Sequence, residues 1–143
     1  MFVRRASGAL AVLGVALATV AAAGESGPRS AVAFTRAQAD RGAAEYATNC
    51  SACHGTRLDG GAGPALRGSK FSVRAARMQS TVGDVFATIA RQMPLNQPAS
   101  LSHAQYVAVV AYILHANGFA AGTAPLTYQA AMRSNVPISR DRR

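Results

Sequence analysis

The 143-residue chain reads as one all-α domain, and three features of the sequence say so. Two stretches carry the spacing of a helix face: Val82, Val85, Phe86 and Ile89 in one, and Val107, Val110, Ala111 and Leu114 in the other. These recur at i, i+3, i+4 and i+7, which brings the side chains onto one side of a 3.6-residue turn. No alternating strand pattern persists and no internal repeat appears. Between His54 and Lys70 stand Gly55, Gly60, Gly61, Gly63, Pro64 and Gly68, a density of breakers that excludes regular structure and marks a loop wrapped around something.

The elements follow in order. Residues 1–23 have the form of a secretory signal: Arg4 and Arg5 make a basic start, Ala6 to Val20 is small and apolar, and Ala21-Ala22-Ala23 is a small-residue processing site before Gly24. The run is Ala-rich and broken by Ser7, Gly8 and Gly14, unlike the roughly 20 strongly apolar residues of a membrane anchor. Cleavage is therefore expected, with a periplasmic product and no membrane span after it. Residues 24–34 read as a flexible leader, 35–122 as the folded domain, and 123–143 as a C-terminal tail packed on the surface or disordered.

Within the domain, Thr35 or a near neighbour caps a first helix that runs to about Asn49. Gly42 costs about 1 kcal/mol relative to alanine in such a helix. It lies on the same face as Tyr46, which points to close contact with another helix. A second helix from about Val82 to Gln92 stops at Met93-Pro94, because proline lacks the N–H and disfavours a helical residue before it. The third helix has a capping box in Ser102 and Gln105 and a stop at Asn117-Gly118, with Tyr106, Val109 and Ile113 widening its apolar stripe.

The net charge is +9, and removing Arg4 and Arg5 leaves +7. The arginines are scattered rather than clustered on an exported chain, so nucleic acid is a poor partner. A basic surface instead favours encounter with acidic proteins.

The two cysteines carry the chemistry. Cys50-Ser51-Ala52-Cys53-His54 places two thiols about one helical turn apart with an imidazole directly after the second, the signature of c-type haem attachment. Each thiol adds to one haem vinyl group, and His54 then reaches the iron from the proximal side. A thioredoxin-like dithiol would follow a strand and open a helix, whereas this pair follows a helix and leads into the glycine-rich loop. A zinc site would want further ligands at regular spacing, and no third cysteine exists.

With these residues the chain resembles class I cytochrome c over about Thr35 to Gly122. The resemblance implies that Gly42 and Tyr46 pack against Tyr112, so that the N- and C-terminal helices cross around one covalently bound haem. It also implies that in Gly63-Pro64-Ala65-Leu66 the Pro64 carbonyl accepts the Nδ1 hydrogen of His54, a bond that orients the iron ligand. Two ionised haem propionates would bring the charge to about +5.

Candidates for the sixth ligand are Met78, Met93, Met132, His103 and His115. Met93 ends a helix with Pro94 turning the chain, and in the family the axial methionine commonly precedes a proline before the C-terminal helix. Met78 is more simply a packing residue, Met132 falls in the tail, and His103 and His115 are helix-terminal side chains. A His54/Met93 pair fills both axial positions and leaves no open site. The expected function is a one-electron carrier, not an enzyme, with redox protein partners bearing acidic docking surfaces. The stretch from Met93 to Gly122 also resembles periplasmic cytochromes that serve bacterial dehydrogenases, so a haem subunit of such a complex is the alternative. A five-coordinate haem enzyme or sensor stands behind both.

Overall fold

A computed structural model describes residues 32–139. The signal expected at 1–23, most of the leader and the last four residues lie outside the described residues. Those described form six helices: α1 Arg36–Asn49, α2 Ser51–His54, α3 Gly68–Arg77, α4 Val82–Gln92, α5 His103–Ala116 and α6 Tyr128–Met132. There is no strand among them, only isolated bridges from Thr35 to Gly122 and from Thr81 to Pro137. No helix among them is long and apolar enough to cross a membrane.

Capping chemistry sets the main helix starts. The side chains of Thr35, Thr81 and Ser102 each accept the N–H of the residue three positions on, and Gln38, Asp84 and Gln105 reach back to the cap N–H. Each box satisfies two of the N–H groups that a helix start leaves without partners.

The most extensive helix contact is between α1 and α5. Gly42 makes it possible: a Cβ there would overlap the Ala108 carbonyl and stand 2.9 Å from Tyr112 Cβ. Beside it the Tyr46 and Tyr112 rings meet with centroids 5.5 Å apart, tilted by 53°. The crossing implied by the resemblance is therefore present. α5 is buried over most of its surface, with Val110, Ala111 and Leu114 fully enclosed.

Three expectations need correction. The folded part begins before Thr35: Val32 and Phe34 are core residues, and the Phe34 carbonyl accepts the Gly122 N–H at 2.8 Å. The breaker-rich loop ends earlier than its glycines suggest, because α3 begins at Gly68 and buries Phe71 and Ala75. Residues 123–139 are part of the core rather than an appendage, since Leu126, Ala131 and Ile138 are buried. This segment also closes the start of α4: Val82 N–H donates to the Val136 carbonyl at 2.8 Å and Gly83 N–H to the Ser134 carbonyl at 2.9 Å. Near the opposite end it is clamped by Gln38, whose side-chain amide exchanges bonds of 2.8 and 2.9 Å with the Leu126 backbone.

Candidate functional site

α2 is a single turn, and it places the two thiols and the imidazole together. His54 N–H donates to the Cys50 carbonyl at 3.0 Å, and Gly55 N–H donates to Ser51 at 2.9 Å. The loop that follows folds back on this turn. Gly60 N–H reaches the His54 carbonyl and Gly63 N–H the Cys53 carbonyl, both at 2.8 Å. Leu58 fills the loop's interior and is fully buried.

His54 is nearly buried, and its Nδ1 lies 2.8 Å from the Pro64 carbonyl. A carbonyl only accepts, so Nδ1 carries the hydrogen, and in the neutral ring Nε2 is then the nitrogen with the lone pair. Gly63 lets the loop press against the ring, since a Cβ there would stand 2.8 Å from His54 Cε1. From the α1 side, Tyr46 donates to the Gly55 carbonyl at 2.6 Å. Burial pushes the Tyr46 phenol up to about 12, helped by Cys50.

Cys50, Cys53, His54, Pro64 and Met93 all line one cavity of about 1010 Å³, at the upper end of the roughly 300–1,000 Å³ typical of cofactor pockets. Its walls come from α2 and its loop, from Phe71, Arg74 and Ala75 of α3, from Val85, Thr88 and Ile89 of α4, from Met93 to Gln97, and from Val109 and Ile113 of α5. Met93 is half-buried against the core. Met78 also borders the cavity but is 70% exposed. The other candidates lie elsewhere: His103 stacks on Tyr128 at 3.8 Å, His115 sits edge-on to Phe34, and Met132 packs on the core.

Among the described residues no three His, Cys, Asp or Glu side chains gather to hold a metal ion. One histidine with a free lone pair, two adjacent thiols and a large, mostly apolar cavity suit an iron carried in a macrocycle. The thiols are unbridged, and burial pushes Cys50 up to about 11, with Cys53 and Glu45 adding to it.

A family model described as cytochrome c oxidase, cbb3-type, subunit III matches residues 37–113, more than half of the chain. The chain belongs to this family. Its c-type cytochrome domain supports haem-based electron transfer and implies haem c with iron. Neither the comparison with curated proteins nor that with solved structures returned a match.

Three parts of this cytochrome's site escaped the sequence reading. α3 has no side-chain cap, since Arg67 occupies that position, and it starts on a glycine. Its signal was Phe71 and Ala75, one turn apart on one face. In the sequence Val109 and Ile113 stand out only as widening a stripe, and so does Tyr106, whose hydroxyl bonds to Met93 and Leu101.

Proposed function

We propose that this cytochrome is a one-electron carrier of the periplasm, with one haem joined by thioethers to Cys50 and Cys53 and its iron held between His54 and Met93. The observation that carries the proposal is the meeting of both thiols, a histidine with its Nδ1 already bonded, and a half-buried methionine around one cavity. The haem supplies the ferrous–ferric couple. The protein's own residues do the rest: the Pro64 carbonyl keeps His54 in one tautomer and orientation, Val85, Ile89, Val109 and Ile113 exclude water, and the loop after α4 brings Met93 to the same space. His54 and Met93 would hold the iron, and a histidine–methionine ligand set would raise its reduction potential.

Partners are redox proteins with acidic surfaces. Beside the cavity mouth Met78 and Leu95 are exposed, with Val73 on the neighbouring face of α3. Lys70, Arg74 and Arg77 share one surface depression with Val73 and Met78, and α3 carries no acidic residue. Apolar contact within a charged rim fits the small, transient encounters of electron transfer.

The matching family's description names a subunit of an oxidase, and this favours a second reading in which the same domain passes electrons inside a stable complex. A partner that stays bound at high salt would support that form over the free carrier.

The test is an absorption spectrum of the matured protein, oxidised and reduced. A low-spin c-type spectrum with the weak far-red band of a thioether–iron(III) bond, lost in Met93→Ala, is the expected result. Attached haem whose spectrum is unchanged by Met93→Ala would refute the ligation.

A further inference from the structure

The loop from Met93 to Leu101 joins α4 to α5 with little to hold it. Residues 95–100 are all exposed, and the backbone turns on Gln97 N–H donating to the Pro94 carbonyl at 2.9 Å. Its two ends meet at one hydroxyl. Tyr106 Oη donates to the Met93 carbonyl at 2.7 Å and accepts the Leu101 N–H at 3.2 Å. A phenol has one hydrogen to give and lone pairs to receive, so both bonds stand together. The ring is 2% exposed in the second turn of α5, the most enclosed helix, so the hydroxyl is fixed by the core. A phenylalanine would serve the apolar stripe equally well. The hydroxyl therefore asks for a separate explanation.

We propose that Tyr106 is the positioning residue for Met93: its hydroxyl draws the two ends of the loop together, holds the methionine backbone in place, and sets how often the methionine side of the cavity opens to an outside ligand. This rests on the ligation proposed above. Without the hydroxyl, the Met93 carbonyl and Leu101 N–H lose their shared partner, and the loop keeps its own turn and the Met93 N–H bond to the Ile89 carbonyl at 3.1 Å. The apparent affinity of a competing ligand scales with the fraction of time its place is free. A net hydrogen-bond contribution corresponds to a shift of about tenfold in that fraction.

The experiment titrates imidazole into the oxidised holoprotein, comparing wild type, Tyr106→Phe and Gln38→Ala, with thermal unfolding measured on the same samples. Gln38→Ala removes a buried side-chain clamp that lies outside the cavity lining, so it reports general loosening. The expected result is an apparent Kd for imidazole about tenfold lower in Tyr106→Phe. Gln38→Ala should unfold at lower temperature with unchanged imidazole affinity. Equal affinities in wild type and Tyr106→Phe, with the band present in both, would overturn the role of Tyr106 and leave Met93 as ligand. An equal gain in Gln38→Ala would overturn it as well. A wild-type protein without the band would overturn the ligation and the positioning role together.

Discussion

The two sides of the cavity are built differently. On the histidine side, the His54 ring is bonded to Pro64, its carbonyl and that of Cys53 are tied by Gly60 and Gly63, and Tyr46 closes the turn through Gly55. All of this rests on α1, which is locked to α5 at Gly42. On the methionine side, Met93 stands at the end of α4, and the chain beyond it is exposed until Leu101. One side is determined many times over. The other depends on a hydroxyl and on the capped start of a helix. On the proposed ligation, ligand exchange should therefore begin at Met93 and not at His54.

The sharpest way to break the comparison is at the shared support. Gly42→Ala drives a methyl group into the Ala108 carbonyl, a backbone atom that cannot rotate away. The expected cost is about 3 kcal/mol or more, read as a lowered denaturant midpoint, and both sides should fail together. A smaller loss should follow Gly63→Ala, where the added methyl meets the His54 ring. About 1–3 kcal/mol is expected, with a fall in the low-spin fraction of the holoprotein, while Met93→Ala should leave His54 coordinated.

Proton titration separates the sides without changing their packing. Tyr46 serves the histidine side and has its folded pKa raised, by burial first, from 10.0 to about 12. Its contribution is complete below pH 10.0 and is lost as pH rises towards 12, so stability should fall with increasing pH across that window. Tyr46→Phe should cost about 1 kcal/mol near neutrality and flatten that alkaline limb, as chemical denaturation at each pH would record. Asp84 does the corresponding work at the start of α4, with its pKa lowered from 3.8 chiefly by the Thr81 backbone N–H and then by the Thr81 hydroxyl. Its contribution is present above 3.8 and is lost as pH falls through the lowered folded value. Asp84→Asn should produce the smallest effect, a weaker loss of stability on acidification seen in acid titrations followed by helix signal.

The same contrast explains what was legible beforehand. Cys50, Cys53 and His54 form a local motif whose chemistry is written in its spacing, and Met93 is marked by the proline after it. The starts of α1 and α5 were readable because Thr35 with Gln38 and Ser102 with Gln105 are chemical boundary marks. α3 and α6 lacked such clarity: one opens on Arg67-Gly68 with no side-chain cap, and the other spans five residues. The tail's burial was invisible because Leu126 and Ile138 are isolated apolar residues whose partners lie far away in the chain. Tyr106 was hidden by its own usefulness, since an aromatic on an apolar stripe satisfies the pattern before its hydroxyl is considered.

The most direct test is the intact mass, in denaturant, of the protein produced in a host with an export route and a haem-attachment system. The expected species is a chain beginning at Gly24 that carries one haem, with the haem lost when Cys50 and Cys53 are both replaced by serine. A chain at its unmodified mass, or lighter by the two hydrogens of a Cys50–Cys53 disulfide, would contradict it.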